Sequence, residues 1–428
     1  MPSYRVLLTD GAMRRTLAAA RALAATGHRV TVGEDSRFNT TFFSRHCHQR
    51  LLYPSPRQQP EAFIDFLVDH LNRNPYDCLL PMESDTLDLI LCHRARVESL
   101  TRLPFVPLER YLLFRDKRRS TQLADQLGIP QPATAFPTSP QRVVEACRPL
   151  GGYPLIIKPR HGWGSRGITV VRSDQELRDA YLTLHREDPL PIVQRFVTPG
   201  PKFYTCAIMD ETHELLGVTA HRELRNHPAP LGPSTAQRTE ALPQLIDYTS
   251  RLLKAARWVG VANADFMLDG DTGEPLFMEI NPRFWGPLQA SIQAGVNFPD
   301  LLVRWAMGER VAPVLDYSLG KVTRAFLPYE LLHFASSPDR FRMEPSFFEF
   351  WGEDVGYDIL SRRDPGTVLG FAATVARYLF EPEVWIRQAR LEKVGRWLAR
   401  RQGKALSDVS KVSIHFSANG QSHDGVLE

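Results

Sequence analysis

A chain of 428 residues, 43% apolar and 23% charged, has the composition of an ordinary soluble globular protein, with length for roughly two to four domains. A formal charge of +4 is too small to imply a nucleic-acid partner. The five cysteines at 47, 78, 92, 147 and 206 form no CxxC pair, which argues against a disulfide framework or a zinc site and fits a reducing cytoplasm.

MPSYRVLLTDGAMRRTL carries charges where a signal peptide needs its apolar core, so none is expected. YRVLLTD, GAMRRTLAAARALAATG and HRVTVGED read as strand, helix and strand. Val6, Leu7 and Leu8 form an unbroken apolar run, as in a strand buried on both faces. Leu17, Ala20 and Ala24 give the helix an apolar stripe, and Gly27 stands where a C-cap belongs. The pattern is a βαβ unit. Only Gly11 is present where a dinucleotide fingerprint needs GxGxxG, so a nicotinamide-dependent oxidoreductase is not supported. DCLLPMESDTLDLILCHR repeats strand then helix, with Ser84 or Asp85 as the expected N-cap. Residues 1–112 thus predict a small parallel α/β, Rossmann-like domain.

RDKRRSTQLADQLGIPQP leads into a proline-rich connection, after which YPLIIKPRHGWGSRGITVV reads as strand, glycine-rich loop, strand. LPIVQRFVTPG is a strand running into a turn, and KFYTCAIMD and ELLGVTAHRELR are a strand pair joined by ETH. LPQLIDYTSRLLKAARWVG is an amphipathic helix. VANADFMLDGDTGEPLFMEINP is a hairpin whose DGDTGEP centre has turn chemistry. Residues 316–428 predict a mainly helical, aromatic and basic extension. TVLGFAATVARYLF, the longest apolar-looking stretch there, is too short to span a bilayer and contains Arg377. Between Trp385 and Lys404, seven Lys/Arg face the single Glu392. Such a basic amphipathic helix suits a membrane surface or an acidic partner, though a solvated face on a packed helix is the commoner meaning.

Three stretches carry chemistry. In the hairpin, a turn centred on Thr272 sets Asp265 opposite Glu279, with Asn281 two residues on and on the same face. Two carboxylates and an amide oxygen suit Mg2+, which keeps waters and substrate phosphates in its shell, and do not suit zinc. In FMEINPRFWG, Arg283 continues the alternation of Glu279 and Asn281; a plain exposed strand end with a salt bridge is the bland reading of that piece. In IIKPRHGWGSRG, Lys158 ends an apolar strand, and Gly162, Gly164 and Gly167 let backbone N–H groups approach phosphate oxygens. No Walker GKS or GKT follows, and a functionless glycine-rich turn is the alternative. IVQRFV would present Gln194 and strand backbone to a nucleobase, but alone it reads better as a core strand.

Together, in this order, these pieces resemble the ATP-grasp superfamily over residues 1 to about 310, as seen in carbamoyl-phosphate-synthase-like and D-Ala-D-Ala-ligase-like enzymes. The resemblance implies an N-terminal Rossmann-like pre-ATP-grasp domain followed by a two-lobed ATP-grasp fold at 113–315, α/β and α+β in class. It implies ATP and Mg2+, with Mn2+ as a substitute. Lys117 and Lys158 would contact the ATP phosphates, and the loop from Gly162 through Trp163, Gly164 and Ser165 to Gly167 would close over them. Gln194, Arg195, Phe196 and Val197 would form the hinge that reads adenine. Asp265, Glu279 and Asn281 would hold the metal, and Arg283 would sit by the transferring phosphoryl group. Gln194 stands where many relatives have Glu, and Lys202 where relatives often have an acidic residue for the ribose. Lysine accepts no hydrogen bond, so another residue must bind the ribose.

The implied reaction is ligation of a small-molecule carboxylate to an amine, an amino acid among the candidates, through an acylphosphate, with ADP and phosphate released. The alternatives within the resemblance are a bicarbonate-activating enzyme and a degenerate nucleotide-binding module. Dimers are common among the proteins it resembles. For the substrates, Arg222 or Arg225 would orient the carboxylate, since Arg matches it bidentately; a solvated basic loop is the equal alternative. Glu83 in PMESD lies at the end of a parallel strand, where open α/β sheets place ligands, and is the candidate for the amine. His161 and Trp163 would cover the nucleotide or pack the loop.

Overall fold

The computed structural model describes residues 2–161, 167–229 and 232–380. Gly162, Trp163, Gly164 and Ser165, and the basic segment between Trp385 and Lys404, lie outside the described residues.

Strand β1 (Arg5–Leu8), helix α1 (Arg14–Ala25), β2 (Arg29–Glu34), β3 (Gln49–Leu52), α2 (Pro60–Arg73), β4 (Cys78–Leu80) and α3 (Ser84–Cys92) build the first unit. Its four strands are parallel in the order β3-β2-β1-β4. Val6, Leu7 and Leu8 are fully buried, as an apolar run in the sheet's middle requires. At the carboxyl ends of β1 and β4 the Asp10 carboxylate ties the two loops together. It accepts from Glu83 N at 3.0 Å, Met82 N at 3.3 Å and Thr86 Oγ1 at 2.7 Å. The N-cap of α3 is Glu83, whose carboxylate accepts from Ser84 N at 3.0 Å, rather than Ser84 or Asp85. Its longer side chain folds back on the helix end because Arg15 holds its other oxygen at 2.9 Å.

Helices α4 (Arg94–Glu98), α5 (Leu108–Arg115) and α6 (Lys117–Gln126) lead to a second unit. It comprises β5 (Thr134–Ala135), α7 (Val143–Cys147), β6 (Leu155–Lys158), β7 (Thr169–Val171), α8 (Asp174–Glu187) and β8 (Ile192–Arg195). Its antiparallel sheet has the order β5-β8-β6-β7. Leu155, Ile157, Val171 and Val193 pack against Leu177 and Tyr181 of α8 in a separate small core. Alternation then sends Ile156 and Lys158 to the opposite face, together with their cross-strand partners Gln194 and Ile192.

The third unit is a seven-stranded sheet. Its elements are β9 (Pro199–Met209), β10 (Leu215–Asn226), β11 (Ser234–Thr239), α9 (Pro243–Ala255), β12 (Gly260–Asp269), β13 (Pro275–Asn281), α10 (Leu288–Gln293), α11 (Phe298–Ala306), β14 (Val322–Arg324), α12 (Leu331–Ser336), β15 (Val355–Tyr357) and α13 (Gly366–Leu379). The strand order is β13-β12-β9-β10-β11-β14-β15. The main core runs without a break from the first unit into this one, through Phe114, Trp258, Phe284 and Leu302. Gly260, at φ +86°, opens β12 where an added Cβ would stand 2.8 Å from the Pro104 carbonyl oxygen, so only glycine lets the strand dock there.

Residues 316–380 differ from the expected helical extension. Besides α12 and α13 they supply β14 and β15, which extend the hairpin's own sheet. Strands of three residues are too short to show alternation, and Arg324 reads as polar although it is 1% exposed. Among the described residues no helix is long and apolar enough to cross a membrane.

Candidate active site

The β12–β13 register sets Asp265 against Glu279 and Asn263 against Asn281. The turn holds that register: Asp269 Oδ1 accepts from Asp271 N at 2.9 Å and from Thr272 N at 3.3 Å. Asn281 Nδ2 donates to Asp265 Oδ2 and Asn263 Oδ1, each at 3.1 Å, which leaves the Asn281 carbonyl oxygen as the atom offered to a ligand. Lys117 Nζ lies 3.0 Å from Glu279 Oε2. Burial alone would raise the Glu279 carboxyl; Lys117, Lys158 and Arg283 outweigh it and hold the group below its ordinary value. Asp265 goes the other way, pushed well up by burial and then by the charges of Glu279 and Glu223. Burial and the nearby Lys117 lower the Lys158 ammonium to about 8, against the pull of Glu279. Among the described residues no group of three or more His, Cys, Asp and Glu converges on a metal position. A cation here would therefore take two carboxylates and an amide oxygen, an all-oxygen set that fits Mg2+ with its remaining positions filled by water or phosphate.

Gln194, 2% exposed, donates from Nε2 to Thr134 Oγ1 at 2.8 Å, while its Oε1 is buried with no partner among the described residues. An orphaned buried acceptor on the face that carries Lys158 fits the amino group of a purine. Beyond it, Phe196 N donates to the Pro154 carbonyl at 3.2 Å and Arg195 N to that of Ala133 at 2.9 Å. Val197 packs with Met267 and Leu276, an apolar floor two residues from Asp265. The base of the glycine loop is fastened on both sides. Arg160 pairs with Asp116, and His161 engages Asp188 through its backbone N and Nδ1, each at 2.9 Å. His161 thus anchors the loop. Gly167, at φ +69°, brings the chain out of it in a conformation that side chains disfavour.

A protein-family model described as "ATP-grasp in the biosynthetic pathway with Ter operon" matches residues 225–324. The C-terminal section of a carbamoyl phosphate synthase large chain from Methanopyrus kandleri is 25% identical over 211 residues, 47% of this chain and 39% of that protein. A D-alanine–D-alanine ligase from Pseudomonas fluorescens is 30% identical over 180 residues, 40% of this chain and 53% of that one. A biotin carboxylase from Campylobacter jejuni, solved as a βγ-ATP complex, superposes with a TM-score of 0.64 at 15% identity, over 75% of this chain and 74% of its own.

The chain carries an ATP-grasp domain. The two curated relatives are matched over well under two thirds of their own length, so the domain is what the comparisons establish.

Around the Asp265–Glu279 pair the structure gathers Lys117, Lys158, Asn281 and Arg283. Arg283 is 8% exposed; its Nε donates to Ser84 Oγ at 2.7 Å and its NH1 to the Phe284 carbonyl at 2.8 Å. Three other sequence candidates have different engagements. Glu83 is held by Arg15, and although burial pushes its carboxyl up, Arg15 and Arg283 bring it down to about 2. Arg225 is buried against Glu330 and donates to the Pro345 carbonyl at 2.6 Å. Arg324 bonds the other Glu330 oxygen at 2.6 Å, so Arg225 belongs to a structural triad rather than to a substrate clamp. Arg222 leans over the Phe203 ring at 6.0 Å, on the face of β10 opposite to His221 and Glu223. Sequence reasoning missed Tyr204, which pairs with Asp265, and Glu223, whose charge acts on Asp265; it also missed Gln237, opposite Glu223, and Arg15, which holds Glu83. The signal for Glu223 was present: alternation along HRELR puts residue 223 on the face that 222 leaves.

Proposed function

We propose that the protein is an ATP- and Mg2+-dependent ligase that activates a small-molecule carboxylate as an acylphosphate and passes the acyl group to an amine, releasing ADP and phosphate. The convergence of Lys117, Lys158 and Arg283 on the opposed Asp265–Glu279 pair carries this reading. An incoming carboxylate, a γ-phosphate and two metal-binding carboxylates repel one another, and only fixed positive charge lets them meet in line. Bound Mg2+ would supply the remaining charge neutralisation at the phosphate oxygens. Lys117 and Lys158 hold the phosphates, and Gln194 Oε1 receives the adenine amino group. Arg283, braced by Ser84, orients the carboxylate toward the phosphoryl group. Asp265, Glu279 and Asn281 hold the ion, Mn2+ serving in place of Mg2+. In this layout residues 1–112 are the Rossmann-like unit preceding the ATP-grasp domain.

The test is product analysis with Mg·ATP and a panel of amino acids and small carboxylic acids, singly and in pairs. ADP and phosphate released only with a particular pair are expected, and AMP with pyrophosphate would overturn the acylphosphate route. A second reading, bicarbonate activation, is favoured by the matches to a carbamoyl phosphate synthase and a biotin carboxylase. ATP hydrolysis that depends on bicarbonate and on no organic acid would select it.

A further inference from the structure

We propose that the amine substrate binds on the strip of sheet formed by Tyr204, Glu223 and Gln237, with the Glu223 carboxylate receiving its ammonium group; the inference rests on the ligase reading above. The strip continues the metal-binding row. Asp265 pairs with Tyr204, and Tyr204 with His221. Two residues along β10 on the same face stands Glu223, which pairs with Gln237 of β11. Strand spacing sets the Cα atoms of Asp265 and Glu223 roughly 12 Å apart, enough to seat an acyl group and a small amine between them.

The strip and its border hold polar atoms with no partner among the described residues: Tyr204 Oη, Glu223 Oε2, Gln237 Nε2 and Asp358 Oδ1. Tyr204, Gln237 and Asp358 are at most 3% exposed. Each orphaned buried group costs about 1–3 kcal/mol, so four in one neighbourhood ask for a ligand. Arg14 links them: it bonds Asp358 Oδ2 at 2.7 Å and the Ser234 carbonyl at 3.3 Å, and its charge reaches both Tyr204 and Glu223. The Glu223 carboxyl is raised chiefly by burial, against Lys202 and Arg14.

The orphans divide by chemistry. Glu223 and Asp358 offer acceptors to an ammonium group. Gln237 offers an N–H donor to a carbonyl or carboxylate on the same molecule. An amino acid has both, and is the class of amine this strip fits. In the reaction the ammonium gives one proton to Glu223, and the freed nitrogen attacks the acyl carbon. The C–N bond forms, the C–O bond to phosphate breaks, and the departing phosphate takes the second proton.

Hydroxylamine tests this, because it captures an acylphosphate without needing an ammonium site. The full chain, Glu223→Gln and Glu223→Asp are assayed with Mg·ATP across the acid panel. Hydroxamate is read with hydroxylamine, and ADP release with paired L-amino acids. We expect Glu223→Gln to raise the KM for the amine at least tenfold more than it affects hydroxamate formation, and Glu223→Asp to recover part of that loss. Tyr204→Phe, which removes only an unpartnered hydroxyl, gives the same comparison should Glu223→Gln fold poorly. Equal losses in both readouts would overturn the proposal, since Glu223 would then serve the acyl half or the fold. Absence of hydroxamate from every acid in the unaltered chain would remove the ligase reading itself, and the amine site with it.

Discussion

Burying an ammonium group is unfavourable unless an opposing charge restores what water gave it. Lys158 is 7% exposed, and burial and the repulsion of Lys117 act on it against one partner, Glu279. A phosphate arriving beside it would supply the missing counter-charge, and charge-assisted contacts of this kind are worth about 1.5–3 kcal/mol. Lys158→Ala should therefore raise the KM for Mg·ATP by about tenfold to hundredfold or abolish turnover, while the fold, relieved of a buried charge, melts no lower. Unchanged ATP kinetics would place the phosphate site elsewhere. Glu279 tests the opposite side of the same balance. It points into the cluster of cations rather than into apolar core, so Glu279→Ala should eliminate turnover and leave the circular dichroism spectrum and melting cooperativity intact. A normal rate in that variant would remove the metal assignment.

At the scale of the element, what could be read in advance depended on how far apart the cooperating residues lie. The hairpin was legible because everything that fixes it is local: DGDTGEP sets the turn, and pairing about Thr272 sets Asp265 on Glu279, as the strands show. Arg225 was not, because its partner Glu330 lies 105 residues away and only tertiary contact reveals the pair. The strands β14 and β15 escaped for the same reason, their pairing being long-range and their three residues too few to establish an alternating pattern. The middle of the large sheet holds a further consequence. His221 stacks on Tyr204 with ring centroids 4.7 Å apart, and its Nε2 lies 2.9 Å from Thr219 Oγ1. Burial lowers its imidazole to about 3. An unfolded histidine titrates near 6.5, so between the two values the unfolded chain binds a proton that the folded one refuses. The stability is complete above about pH 6.5 and is lost as pH falls toward 3, by up to ~1.4 kcal/mol per unit. Urea titrations at pH 7 and pH 4.5 should show the unaltered chain losing more stability than His221→Gln. Parallel losses would mean the ring is open to solvent protons.

In the whole molecule, the three units meet around Glu279 and Arg283. The first unit contributes the β4–α3 turn, whose Ser84 Oγ accepts from Arg283 Nε, and α1, whose Arg15 donates to the same Phe284 carbonyl that Arg283 holds. The third unit contributes Arg283 itself, just past β13. The second contributes Lys158, which acts on Glu279 together with Lys117 from the helix between the units. Asp10, which ties the β1 and β4 loops, thus sets the position of Ser84 and through it the direction of Arg283. If Arg283 acts on the transferring phosphoryl group, loosening this tie should slow the chemical step without weakening nucleotide binding, which in the proposed layout rests on Lys158 and Gln194 instead. Ser84→Ala removes one hydrogen bond to a buried charge and no apolar contact of note. A loss near 1.4 kcal/mol, the low end for charged hydrogen bonds, is about tenfold in rate. The expected result is a kcat lowered about tenfold, with the Kd for Mg·ADP, measured by calorimetry, changed less than twofold. A Kd that weakens in step with kcat would mean the first unit braces the nucleotide site as a whole, and that Arg283 has no separate part in the transfer.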